Sequence, residues 1–273
     1  MKNSVATFRQ SKGNTKLAML TAYDYSIAKI ADESGINGIL VGDSLGMVML
    51  GYPDTLSVTM EDMIHHCKAV SRAANNALLV CDMPFMSYQI SVTEAVRNAG
   101  RLICEGCAQA IKLEGGQEYA AEIAAITRAS IPVMGHLGLL PQSVQAMGGY
   151  KVQGKTKAAA KKLLEDAKAV EDAGAFSLVL EGIPSQLARK ITEKVSIPVI
   201  GIGAGADCDG QILVWQDMAG LNRGKLAKFV RKFANVGDDL EKAFKDYDHA
   251  VKTGAFPGKE HSYNMDEKEL EGL

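Results

Sequence analysis

Four acidic residues stand where apolar runs stop. Asp43 follows Ile39-Leu-Val-Gly42, Asp82 follows Leu78-Leu-Val-Cys81, Glu114 follows Ile111-Lys-Leu113, and Glu181 follows Leu178-Val-Leu180. If these runs are strands of one parallel barrel, their C-terminal ends share a face and the four carboxylates converge on one mouth. That many negative charges in a partly dry cleft are costly unless a cation or protons compensate. Carboxylate oxygens are hard ligands suited to Mg2+, which keeps several waters and shares its shell with a substrate. Taken singly, any of the four could instead cap a helix or belong to a surface ion pair.

Lys112 lies two residues before Glu114, so an extended chain puts both side chains on one side. A lysine inside an apolar strand is expensive to bury without an anionic partner. It can hold a substrate carboxylate or oxyanion, or it can snorkel outward. Ser44, beside Asp43, could donate a hydrogen bond to a carboxylate. His136 closes the fifth run, in Val133-Met-Gly-His-Leu-Gly138. It could meet the water shell of a metal or a substrate, or serve only the structure. The loops 44–57 and 137–155, the latter with Gly148-Gly149, follow strands and are candidate lids. Gly201-Ile-Gly-Ala-Gly205 could turn backbone N–H groups toward an anion or serve close packing. Adjacent His65 and His66 diverge around a helix and do not share a metal. Cys104-Glu-Gly-Cys107 has C-x-x-C spacing but ends a helical pattern, so it reads as buried or half-buried packing.

What must position these residues is an alternation of strand and helix. Apolar runs at 17–21, 38–41, 77–81, 110–113, 132–135, 177–180, 198–202 and 211–214 are the strand candidates. Nearly continuous apolarity is expected of parallel strands covered on both faces. Between them the period becomes helical. Ser91-Val-Thr-Glu94 reads as a capping box, followed by Val92, Ala95, Val96, Ala99, Leu102 and Ile103 on one face. The stretch from Thr156 to Ala173 places Ala160, Leu163, Leu164, Ala167 and Val170 similarly, with Gly174 as its stop. Eight such units predict an α/β fold, a closed (β/α)8 TIM barrel, with an open doubly wound sheet as the competitor. No linker divides the chain, so residues 1–273 read as one domain with a polar tail from about Pro257.

Composition narrows the function. The 273 residues carry 30 Lys+Arg against 32 Asp+Glu, a net charge of −2. This balance lacks the electrostatic footprint of a nucleic-acid or anionic-membrane binder. No apolar stretch approaches a membrane span, and the N-terminal residues lack the apolar core of a signal peptide. Five cysteines, an odd number, argue against a disulfide framework. The expected place is the cytoplasm.

The motifs together carry a resemblance. Thr21-Ala-Tyr-Asp-Tyr25, Val41-Gly-Asp-Ser-Leu-Gly46, Asp82-Met-Pro-Phe85, Ile111-Lys-Leu-Glu-Gly-Gly116 and Gly135-His-Leu-Gly138 occur in order. Pro141-Gln-Ser143, Gly148-Gly-Tyr-Lys-Val-Gln-Gly154, Gly201-Ile-Gly-Ala-Gly205 and Asp209-Gly-Gln-Ile-Leu213 follow. From about residue 3 to residue 262 the chain resembles the ketopantoate (3-methyl-2-oxobutanoate) hydroxymethyltransferase family. The resemblance implies a phosphoenolpyruvate-mutase-like barrel in pantothenate, and hence coenzyme A, biosynthesis. By it, Asp43, Asp82 and Glu114 are the acids associated with Mg2+, Asp43 and Glu114 sometimes through water. Ser44, Asp82 and Lys112 hold the 2-oxo acid with Asp43 beside them, and Glu181 is the proton acceptor. It further implies 5,10-methylenetetrahydrofolate as one-carbon donor and a homodecamer, a pentamer of dimers. The alternatives are another Mg2+-dependent 2-oxo-acid lyase or mutase on the same barrel, and a non-catalytic metabolite-binding barrel.

Overall fold

The apolar runs become strands, β1 and β2 with the expected ends and the others with ends shifted by at most three residues. The computed structural model describes residues 2–272. Its strands are β1 (Leu17–Thr21), β2 (Gly38–Val41), β3 (Leu78–Asp82) and β4 (Ala110–Glu114). They are followed by β5 (Val133–Gly138), β6 (Ser177–Glu181), β7 (Val199–Ile202) and β8 (Gly210–Leu213). Each pairs in parallel with the next, and β8 pairs with β1 from Leu17↔Gly210 to Leu20↔Leu213. That pairing closes the barrel and removes the open-sheet competitor.

Strand periodicity sorts the side chains into two shells. Leu17, Met19, Leu40, Leu78, Val80, Ala110, Met134, Val179, Ile200 and Ile212 fill the interior. Phe8, on a short helix Val5–Ser11 that the apolar pattern does not disclose, joins Phe176 against this interior, their rings 6.1 Å apart and edge-to-face. The other parity, including Ile39, Val41, Leu79, Cys81, Ile111, Leu113, Leu178 and Leu180, packs against the surrounding helices. The expected helix runs over Lys157–Asp172, with the Thr156 hydroxyl capping it by accepting from Ala159 N. At Ser91 only half of the expected capping box forms. The Ser91 hydroxyl accepts from Glu94 N, but the Glu94 carboxylate turns to Arg97 at 2.9 Å.

Two strand ends matter for the site. β5 runs on to Gly138 because Leu137 and Gly138 pair with Leu180 and Glu181. His136 therefore lies inside the strand rather than at its end. Gly138 has φ +99, and a Cβ there would stand 2.2 Å from the backbone oxygen of Glu181. Gly138→Ala is expected to lower stability by about 2–3 kcal/mol from backbone strain alone. A urea midpoint equal to that of the parent would contradict this account of the β5–β6 junction.

The barrel unit reaches Trp215 and takes in Ala227–Val230, while Gln216–Leu226 and the residues from Arg231 on form a second unit. The second unit holds the helix Val236–Thr253, which the sequence reading leaves unassigned. Its charged face is laced with i,i+4 pairs such as Lys245–Glu241 and Lys252–Asp248. Past Pro257 come the short turns Lys259–His261 and Glu267–Leu270, largely exposed. Among the described residues no helix is long and apolar enough to cross a membrane.

Candidate active site

Register alone brings the key pairs together. Asp82 is the β3 partner of Lys112 on β4, and Glu114 is the β4 partner of His136 on β5. Neighbouring strands lie about 4.8 Å apart, close enough for paired inward side chains to touch. Lys112 Nζ lies 3.0 Å from Asp82 Oδ1, a buried ion pair. His136 Nδ1 lies 3.2 Å from Lys112 Nζ and 3.6 Å from Glu114 Oε1. An ammonium only donates, so in the neutral ring Nδ1 accepts and Nε2 carries the proton. Nε2 faces Glu181 Oε2 at 3.2 Å without an aligned hydrogen bond.

The loop after β2 supplies the rest. Asp43 N donates to Asp82 Oδ2 at 3.1 Å, which folds the Asp43–Ser44 corner over the barrel mouth. Ser44 Oγ lies 2.8 Å from the hydroxyl of Tyr23, a fully buried ring whose backbone oxygen contacts His66 Nδ1 at 2.7 Å. Thr21, Asp43, Ser44, Asp82, Lys112, Glu114, His136 and Glu181 all line one cavity of about 110 Å³, floored by Leu40, Val179, Ile202 and Ile212. The seven residues singled out in the sequence are thus together.

Burial separates their roles. Asp43, Asp82, Lys112, Glu114 and His136 are 3–5 % exposed. The Glu181 side chain is the more open of the acids, at 15 %. Burial, followed by the charges of Asp82 and Glu114, holds the Asp43 carboxyl well above the usual carboxylate range. Burial also raises Asp82, against the downward pull of Lys112. For Lys112 burial opposes the charge, but Asp82, Glu114 and Asp43 together outweigh it and raise its pKa. For His136 burial and Lys112 disfavour protonation, yet Glu114 and Glu181 shift it above the ordinary imidazole value.

Four carboxylates therefore face one ammonium. Among the described residues no three His, Cys, Asp or Glu side chains form a ready-made metal cage. Mg2+ does not need one, because it is commonly held by one or two carboxylates with waters and substrate. The raised Asp43 and the buried Asp82, with four carboxylates facing the one Lys112 ammonium of the cavity lining, fit such a hard cation.

Not every motif joins the site. The Gly201–Gly205 turn contributes Ile202 to the lining, among the described residues. The rings of His65 and His66 pack edge-to-face with centroids 5.4 Å apart, and His66 Nδ1 serves the Tyr23 backbone oxygen instead of the site. Cys104 and Cys107 are exposed, which corrects the reading of them as packed thiols. Cys104 ends the helix Val92–Cys104 off its buried stripe of Ala95, Ala99 and Leu102, and Cys107 sits in a turn at φ +61. The sequence reading missed Gln142, Tyr88 and Tyr23, which touch the acids or Ser44 from outside the strands. Tyr23 and Gln142 were signalled only by lying in the ordered motifs and Tyr88 by nothing, since loop residues carry no periodicity.

Comparison with known proteins places this geometry. The ketopantoate hydroxymethyltransferase family model matches residues 2–259. A protein of Enterococcus faecalis named 3-methyl-2-oxobutanoate hydroxymethyltransferase is 63% identical over 274 residues, covering 100% of both chains. One of the same name from Clostridium kluyveri is 64% identical over 97% of this chain and 95% of its own. Among solved structures, phosphonopyruvate hydrolase in complex with oxalate and Mg++ superposes with a TM-score of 0.62 at 13% identity, covering 95% and 93% of the two chains. A 2,3-dimethylmalate lyase of the PEP mutase/isocitrate lyase superfamily gives 0.61 at 18% identity over 99% and 94%. Likeness at that identity speaks for the shared barrel, whereas the near-complete match at over 60% identity decides the family. The chain belongs to the ketopantoate hydroxymethyltransferase family of transferases.

Proposed function

We propose that this protein transfers a hydroxymethyl group from 5,10-methylenetetrahydrofolate to 3-methyl-2-oxobutanoate, forming 2-dehydropantoate for pantothenate synthesis. The observation that carries the reading is one cavity where Asp43, Asp82, Lys112, Glu114, His136 and Glu181 meet, in a chain of this family. Lys112 is fixed as a cation at the cavity wall and attracts the carboxylate of the 2-oxo acid. The Ser44 hydroxyl, held by Tyr23, donates a second hydrogen bond to it. Asp43, Asp82 and Glu114 would hold a divalent cation, which supplies positive charge next to the keto oxygen as an enolate develops. Glu181, the more open acid, takes the C3 proton through a carboxylate oxygen. The C3 electron pair then forms the new bond to the folate methylene carbon as its bond to N10 breaks, N10 taking the proton that Glu181 removed. Water hydrolyses the remaining C–N5 bond, its hydroxyl going to the methylene carbon and its proton to N5 of the departing tetrahydrofolate.

Exposed Met47, Met49 and Leu50 after β2, with Tyr150 after β5, offer apolar surface for a flat heteroaromatic ring at this end of the barrel. The Tyr150 hydroxyl reaches Met47 Sδ at 3.7 Å. Family membership supports a homo-oligomer, the decamer of the resemblance, and the odd count of free cysteines supports a cytoplasmic setting. The lyase or mutase alternative uses the same barrel, but no folate would be consumed. A coupled assay of tetrahydrofolate and 2-dehydropantoate, with and without Mg2+, tests the proposal. Folate-independent turnover of the oxo acid contradicts it.

Stability should report the cation as well. A carboxyl held above its unfolded pKa, as in Asp43, favours the fold while protonated and loses that contribution as pH rises through its folded value. A bound cation replaces the proton. Mg2+ at a hundredfold excess over Kd adds about 2.7 kcal/mol. The resulting rise in Tm should be larger near pH ~8 than near pH ~5, and EDTA should reverse it. An equal rise at both pH values contradicts this assignment.

A further inference from the structure

Gln142 has no role in the reaction as described so far. It sits in the turn Pro141–Ser143 beyond β5 and is 4 % exposed. Nε2 donates to Asp43 Oδ2 at 2.8 Å and to the backbone oxygen of Met83 at 2.9 Å. Oε1 accepts from the Tyr88 hydroxyl at 2.9 Å and from Gln89 Nε2 at 3.3 Å. Its backbone N donates to Glu114 Oε2 at 3.1 Å. The orientation of the amide follows from chemistry, because a carboxylate and a carbonyl only accept and must face the NH2 end. A flipped amide would set oxygen against oxygen at both contacts.

One residue thus engages one oxygen of Asp43 and one of Glu114 and leaves each acid a single oxygen that it does not touch. It also ties the segments that follow β2 and β3 to the end of β4. A buried lysine or arginine at this place would neutralise the acids. A neutral donor orients them and leaves their charge in place. Tyr88 supports the arrangement from behind. Its hydroxyl lies 3.0 Å from the Glu114 backbone oxygen and accepts from Glu114 N at 3.2 Å. Its ring is fully packed, edge-to-face on Tyr119 at 5.2 Å.

We propose that Gln142 is a positioning residue for the reaction: its side-chain amide and backbone N–H hold Asp43 and Glu114 with one oxygen each presented to a divalent cation and substrate. The inference rests on the cation-assisted reading given above. Groups that orient metal ligands typically alter metal affinity or activity about 10–100-fold when removed.

The test uses the full-length protein with Gln142→Met, which keeps length and apolar bulk but has no donor, and Tyr88→Phe. Three quantities are read: Mn2+ affinity by electron paramagnetic resonance without substrate, C3-proton exchange of the oxo acid at saturating Mg2+, and Tm. Gln142→Met should bind Mn2+ about tenfold or more weakly and exchange about 10–100-fold more slowly at saturation, a loss in kcat rather than KM. Tyr88→Phe should move both readouts in the same direction by less. A folded Gln142→Met with parental Mn2+ affinity and exchange rate overturns the inference, whatever its Tm. If Gln142→Met does not fold, unchanged affinity and rate in Tyr88→Phe overturn it. Parent protein that neither binds Mn2+ nor promotes exchange overturns the underlying reading, and this inference with it.

Discussion

Lys112→Met should lose about 10²–10³-fold in kcat/KM and about 3–5 kcal/mol of stability. Both losses come from one removed charge. Among the described residues Lys112 is the one ammonium lining the cavity, 3.0 Å from Asp82 and flanked by Glu114 and Asp43. Methionine fills a comparable volume, so the packing of the strand survives while the carboxylates lose their buried counter-charge. Breaking a buried pair is costly because the partner charge stays behind without compensation. The remaining acids can respond by keeping protons, which fixes the sign of the pH effect. Asp43 and Asp82 are already held above the ordinary carboxylate range, and loss of Lys112 raises them further. Groups with raised folded pKa contribute stability below their unfolded values and lose it as pH rises through the folded ones. The stability deficit of Lys112→Met should therefore be largest at neutral pH and shrink toward about pH 4. Urea midpoints measured across this range check the prediction, and a deficit independent of pH contradicts it.

Glu181→Gln should behave differently. It keeps the shape of the side chain and removes its capacity to take a proton, so C3-proton exchange should fall by about 10²–10⁴-fold. Binding of the 2-oxo acid in the presence of Mg2+, measured by equilibrium dialysis, should stay near the parental value, because Lys112 and Ser44 hold the substrate. Stability should change by less than about 1 kcal/mol, since this side chain is more open than the other acids and forms no aligned hydrogen bond to His136. The contrast with Lys112→Met separates a group that does proton chemistry from one that also holds the site together. Exchange at the parental rate in Glu181→Gln would remove it from the role of base.

Much of this site was legible because strands impose rules. Lys112 and Glu114 share a side by parity, and Asp82, Glu114 and Glu181 end their strands, so their convergence follows once the strands close. The contacts Asp82–Lys112 and Glu114–His136 needed the register between strands, which no single run contains. His136 looked terminal because the apolar run appeared to stop before it, whereas pairing with β6 carries β5 on to Gly138. Gln142, Tyr88 and Tyr23 come from segments without repeating geometry, and their partners are brought close only by the folded loops. The helix Val236–Thr253 escaped for another reason. Its apolar positions Leu240, Phe244, Tyr247 and Val251 stay exposed among many charges, so no buried stripe marks it out in the stretch before the polar tail.

The central claim is that these acids and Lys112 make C3 of the 2-oxo acid acidic without help from folate. It is tested most directly by following the C3 proton signal of 3-methyl-2-oxobutanoate in D2O by NMR, with parent protein, no folate, and either Mg2+ or EDTA. The account predicts steady loss of the signal with Mg2+ and a rate at least about 10²-fold lower with EDTA. A folded protein that leaves the proton in place under both conditions, or removes it equally fast in EDTA, contradicts it.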